Sequence, residues 1–182
     1  MKKTITTIFT LLLCITTLYG NSDLERQSKV QMNIINLMAL GDFNVGYERT
    51  LSNTLSTVGI VHYIPDAELD KQSTYSYPNL SINYGLRSYI KNNLFGLITP
   101  DPSTEKGFGA YIELLGGLNK AEDKYFGSGI LWLGISHPIN EDLYLDYGLG
   151  ITRYLGDSEL YDDLSNSKDI IPGFKFSLGI KL

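Results

Sequence analysis

Ile171 to Leu182 reads I-P-G-F-K-F-S-L-G-I-K-L, and its periodicity decides the fold. From Phe174 onward every even position is apolar (Phe174, Phe176, Leu178, Ile180, Leu182), and the odd positions hold Lys175, Ser177, Gly179 and Lys181. Successive side chains of a strand point to opposite faces, so a period of two describes a strand with one greasy and one wet face. A helix would instead repeat its apolar stripe every three to four residues. The alternation runs to Leu182, ending on an apolar side chain where the ends of most soluble domains fray into polar tails.

Seven earlier stretches behave in the same way: Val30 to Leu37, Phe43 to Leu51, Leu55 to Ile64, Pro78 to Ile90, Phe108 to Leu118, Phe126 to Ser136 and Leu143 to Tyr154. Each is roughly 9 to 12 residues, the length a tilted strand needs to cross a bilayer. Eight strands, an even count, bring both ends of the sheet to one side. Short turns at Ser52 to Thr54 and His137 to Asp142 alternate with polar, acidic loops at Pro65 to Tyr77, Asn119 to Tyr125 and Leu155 to Ile170. Met38 to Asp42 is a short turn on the loop side. Lys91 to Gly107 is long for the opposite side, and its Leu94 to Ile98 segment reads as an extra hairpin or small plug.

The faces carry the physical argument. In the second run Phe43, Val45, Tyr47 and Leu51 alternate with Asn44, Gly46, Glu48 and Thr50. The seventh sets Leu143, Leu145, Tyr147, Leu149 and Ile151 against Tyr144, Asp146, Gly148, Gly150 and Thr152. Across the chain the minority face collects Glu48, Arg87, Glu113, Asp146, Lys175 and Lys181. In a water-soluble barrel the apolar face turns inward; in a membrane barrel it meets lipid and the charges face the lumen. The bulk of the regular face and the many glycines opposite it favour the second arrangement, an all-β, eight-stranded antiparallel up-and-down transmembrane barrel. Unpaired charges in so narrow a lumen are strongly disfavoured, so Glu48 and Glu113 are expected to pair with Arg87, and Asp146 with Lys175 or Lys181. Tyr63, Tyr75, Tyr77, Tyr89, Tyr125 and Tyr154 fall near run ends, as aromatic girdles at the two interfaces would.

Upstream, Met1-Lys2-Lys3 followed by the largely apolar residues 5 to 15 and a small residue at Gly20 reads as a secretory signal peptide over residues 1–20. Residues 21–29 are a short polar lead, and 30–182 the barrel domain. Cleavage would remove Cys14, the sole cysteine, and with it any disulfide, thiolate nucleophile or cysteine metal site. Without Lys2 and Lys3 the chain keeps 13 basic residues against 20 acidic, a net charge of −7. It has no basic tract, which argues against nucleic acid as a partner.

Asn33 to Ser52 (N-I-I-N-L-M-A-L-G-D-F-N-V-G-Y-E-R-T-L-S), G-L-R-S-Y-I at Gly85 to Ile90, G-F-G-A-Y-I at Gly107 to Ile112 and the closing strand resemble a family of small outer-membrane β-barrel proteins of unassigned function. That family is related in architecture to barrel domains of the outer-membrane protein A type. The resemblance covers Val30 to Leu182. It implies a barrel in the outer membrane, with Glu48 and Arg87 as an inward-facing polar pair, and supplies no activity. The final strand is similar to the C-terminal assembly signal of Gram-negative barrels, except that those finish on Phe and this one on Leu182. Through Phe174, Phe176, Leu178, Ile180 and Leu182 it implies the barrel-assembly machinery as a partner, beside outer-membrane lipids and lipopolysaccharide.

Catalytic and metal motifs do not assemble. His62 and His137 are the only histidines and lie on remote strands, read as one surface His each. Ser56 shares a face with His62 but stands about 20 Å along the strand from it, too far for a dyad. Gly116-Gly117 and Gly148-x-Gly150 lack the following helix that phosphate binding uses. Asp66, Glu68 and Asp70, with Asp157, Glu159, Asp162, Asp163 and Asp169, read as solvated loop charge before they read as a cation-gathering surface. The sequence therefore points to a non-enzymatic barrel, without cofactor or metal, in a structural or surface-interaction role with a packed polar lumen. A minor pore for small solutes is one alternative. A lipocalin-like secreted or periplasmic binder of an apolar ligand, the same barrel turned inside out, is the other.

Overall fold

The computed structural model describes residues 28–65, 78–90, 109–121, 124–155 and 170–182. Eight strands follow in chain order: β1 (Ser28–Asn33), β2 (Phe43–Thr50), β3 (Leu55–Tyr63), β4 (Leu80–Tyr89), β5 (Gly109–Ala121), β6 (Lys124–Pro138), β7 (Leu143–Leu155) and β8 (Ile171–Lys181). Each pairs antiparallel with its chain neighbour, and β1 pairs with β8, so the sheet closes into an up-and-down barrel. Closure leaves no strand edge unpaired. The two ends of the barrel chain meet, where Leu182 N donates to Ser28 O at 2.8 Å. Among the described residues no helix is long and apolar enough to cross a membrane.

The register fixes the barrel's geometry. From Lys29 the paired residues run Glu48, Val58, Gly85, Leu115, Ile130, Thr152 and Ile171. Yet Lys29 itself pairs with Lys181 on β8, ten residues beyond Ile171, so one circuit shifts the register by ten. With eight strands, that stagger tilts each strand by roughly 40° and leaves an interior that side chains can just fill.

Burial follows the period of two and runs against the pattern of a water-soluble protein. Lys29, Glu48, Arg87, Glu113 and Asp146 are at most 1 % exposed, whereas Tyr84, Leu114 and Leu149 are 62 %, 64 % and 68 % exposed. Among the described residues 25 large apolar side chains are exposed and nine hydrophobic ones buried. The outer wall is therefore largely apolar. Phe174, Leu178, Ile180 and Leu182 belong to it, with Phe176 half-buried on the same face.

Several local expectations are corrected. Val30 to Leu37 is not one strand: β1 ends at Asn33, and a helix, α1 (Ile34–Leu40), occupies the place of the short turn. The Asn33 side chain caps it by accepting from Asn36 N at 3.1 Å, and Gly41 closes it at φ 62°, a left-handed conformation that glycine adopts without steric cost. At the other end β1 begins at Ser28, so Lys29 belongs to the barrel and not to the polar lead. β5 continues to Ala121 and β6 begins at Lys124, taking up most of the expected 119–125 loop. Tyr89 is no girdle residue; it points inward and is 4 % exposed. Tyr154 sits half-buried with its ring centroid 5.2 Å from that of Phe126, while Tyr63 and Tyr125 are exposed. Tyr75, Tyr77, the stretch 1–20 expected to be a signal peptide, the 91–107 connection and the acidic loop residues lie outside the described residues.

Candidate functional site

The inward-facing charges converge in the half of the lumen nearer the chain termini. Arg87 is their centre. Its Nε donates to Glu113 Oε2 at 2.7 Å and its Nη1 to Glu48 Oε2 at 2.9 Å. Nη2 stands 2.5 Å from Glu113 and 2.8 Å from Asp146, ion-pair contacts without hydrogen-bond alignment. Lys175 Nζ donates to Glu113 Oε1 at 3.2 Å and lies 3.7 Å from Asp146. Lys29 lies 3.9 Å from Glu48. Three cations thus face three carboxylates in a neutral cluster, the arrangement that offsets the large cost of removing each charge from water.

Tyrosines complete it. Tyr89 Oη donates to Glu48 Oε1 at 2.7 Å and accepts from both Arg87 and Lys29 at 3.3 Å. Tyr111 Oη donates to Asp146 Oδ1 at 2.5 Å, and the Lys29 ammonium lies over the rings of Tyr89 and Tyr144, 5.3 and 5.0 Å from their centroids. The expected pairing of Glu48 and Glu113 with Arg87 is what the geometry gives. Asp146 is held by Arg87 as well as Lys175. Lys181 stands opposite Lys29, half-buried at the end of β8, and the ion pairs to these carboxylates come from Arg87, Lys175 and Lys29.

Glycines make room for the large inward rings. Tyr111 is directly opposite Gly134, Trp132 opposite Gly150 and Tyr144 opposite Gly179. A Cβ at any of the three would run into the ring it faces. Each aromatic therefore lies over a bare stretch of the neighbouring strand, filling space in a lumen too narrow for two full side chains.

The other half of the lumen, toward the β3–β4 and β7–β8 connections, is a cavity of about 360 Å³. Val58, Ile60, Leu115 and Ile130 form a small apolar cluster against which Trp132 packs. Ile60, Leu115, Ile130 and Trp132 line the cavity, interleaved on the same and neighbouring strands with amides and hydroxyls, among them Asn44, Asn83, Asn119 and Ser128. At its rim Asp42 Oδ2 accepts from Asn36 and Asn44, each at 3.3 Å, and lies 3.0 Å from His62 Nδ1. Ser56, by contrast, is fully buried lower in the barrel.

Three contributors were missed in sequence. Lys29 sits in a stretch whose composition is that of a polar lead, although it shares parity with Gln31 and Asn33. Tyr89 lies at a run end like a rim residue, although it stands two residues from Arg87 and so faces the same way. Asp42 was assigned to a turn, and only the folded β2–β3 pairing sets Asn44 opposite His62, bringing the ring to the carboxylate. Compared with known proteins, the chain matches no family, no curated protein and no solved structure.

Proposed function

We propose that the protein is an outer-membrane β-barrel, its apolar wall in lipid, acting in a structural or surface-interaction role without turnover. The observation that carries this reading is the inverted burial: charges at the centre and large apolar side chains on the outside. Only helices and closed barrels satisfy their backbone in hydrocarbon, and this sheet is closed. That location implies lipids, lipopolysaccharide and the barrel-assembly machinery as partners, the last reading the β8 strand.

The neutral cluster around Arg87 fills the lumen near the termini and favours a closed barrel over a pore. The buried charges equally disfavour the lipocalin-like alternative, which needs an apolar interior. The test is single-channel recording on the protein reconstituted in a planar lipid bilayer. No steady conductance is expected; a stable open level would move the reading to the minor pore.

A further inference from the structure

Within β1 to β7 every residue that lines the cavity is of inward parity, as Asn44 and Gly46 are on β2 and Ile130 and Trp132 on β6. β8 departs from this. There the lining takes in Pro172 and Phe174, which are exposed on the outer wall, together with their inward neighbours Gly173 and Lys175. Successive residues of a strand point to opposite faces, so both faces of β8 border one space only where that space passes around the strand's side. The cavity therefore reaches the outside of the barrel laterally.

The seam beside β8 is built to allow it. β1 and β8 pair over five positions, from Lys29 with Lys181 to Asn33 with Ser177. β1 stops there, whereas β8 runs on to Ile171 beside β7 and β2 reaches back to Phe43 beside β3. Among the described residues it is helix α1, not a strand, that stands between β2 and β8 at this level. Its Ile35 is 41 % exposed and lines the cavity too. Pro172 has no N–H to give to a ladder, and sheets place proline where one side of a strand does not call for it.

What faces this opening follows from its height. Phe174 stands eight residues from Leu182. At about 3.3 Å per residue and a tilt of roughly 40°, that is about 20 Å along the axis, still within the roughly 25 Å apolar band of a membrane barrel. The opening is framed by Ile35, Pro172 and Phe174, all apolar. Inside, the polar atoms are engaged or closed off. Ser81 Oγ donates to Asn119 Oδ1 at 2.6 Å, Lys175 holds Glu113, and Asn83 Oδ1 and Ser128 Oγ are buried beneath their neighbours. The surface left to the cavity is mainly carbon. Its volume of about 360 Å³ lies at the small end of ligand pockets, roughly 300 to 1,000 Å³, and suits one hydrocarbon chain without its headgroup.

We propose that the gap between α1 and β8 is a lateral portal, through which one acyl chain of a membrane lipid enters the lumen and lies against Trp132 and Ile130. The headgroup stays outside, on the Phe174 side of the wall. This inference rests on the membrane reading, since only a wall in lipid presents acyl chains to the portal.

The test is photolabelling from the bilayer. The full-length protein is refolded into phosphatidylcholine vesicles containing a phospholipid with a diazirine on one acyl chain. Folding is confirmed by faster gel migration before boiling, and labelled residues are located by fragment mass spectrometry after irradiation. Label is expected on the outer wall, at Leu114 and Leu133, and also on the inward-facing Ile130 and Trp132. Ile35→Asp places a charge in the portal, at the start of α1 where a carboxylate is well tolerated. It is expected to lower inner labelling roughly tenfold and leave outer labelling unchanged. Label on the outer wall alone overturns the proposal and leaves the membrane reading standing. Inner labelling that Ile35→Asp does not reduce also overturns it, as does inner labelling by a free diazirine fatty acid that the phospholipid does not reproduce. Absence of label from both faces removes the membrane reading, and the portal with it.

Discussion

Arg87 stacks on Tyr111, its guanidinium carbon 4.0 Å from the ring centroid, and the same ring's hydroxyl holds Asp146, one of the three carboxylates that Arg87 neutralises. The two residues sit on adjacent strands, β4 and β5, and together tie β2, β4, β5 and β7 across the lumen. Arg87→Met keeps the bulk and removes the charge. It leaves Glu48, Glu113 and Asp146 facing Lys29 and Lys175 alone, an uncompensated buried charge. The loss expected is about 3–5 kcal/mol, read as a fall in the urea midpoint of protein refolded into lipid vesicles. A midpoint within error of wild type would mean that the cluster does not hold the barrel closed.

Gly134 faces Tyr111 across the β5–β6 ladder, and a side chain there meets the phenol oxygen and ring. Gly134→Ala is expected to displace the ring, break its hydrogen bond to Asp146 and cost about 1–3 kcal/mol, the usual penalty of overpacking. The companion Gly116→Ala, on the outer wall with nothing within 4 Å of the added carbon, should change the midpoint far less. Equal effects at the two sites would sink the steric explanation.

Leu149 lies midway along β7 and is 68 % exposed on the outer wall. In lipid, Leu149→Arg places a charge near the bilayer midplane and costs about 2–4 kcal/mol. On a water-exposed surface the same change falls within about 0.5 kcal/mol. Vesicle unfolding experiments separate the two, and a negligible shift would argue that this face does not meet lipid.

The strands were legible because one greasy face imposes a strict period of two, and parity alone placed Glu48, Arg87, Glu113, Asp146 and Lys175 together inside. Parity cannot say how high each stands in the lumen. That depends on the ten-residue stagger, which no single strand reveals, and so the cavity beside Asn83 and Ser128 was invisible until the register was known. Helix α1 was missed for a different reason. Its I-I-N-L-M-A-L run is as apolar as a strand, and the signals that end the strand are single residues, the Asn33 cap and Gly41. Trp132 was hidden too, since nothing local announces that Gly150 will lie opposite and let a large ring turn inward.

The central claim is that this barrel wears its apolar face outward in the outer membrane. Cell fractionation followed by a gel of boiled and unboiled detergent extract tests it most directly. The account predicts the protein in the outer-membrane fraction, with the unboiled barrel migrating faster than the boiled chain. Recovery from the soluble periplasm without detergent would contradict it, because the 25 exposed large apolar side chains among the described residues would then have to face water.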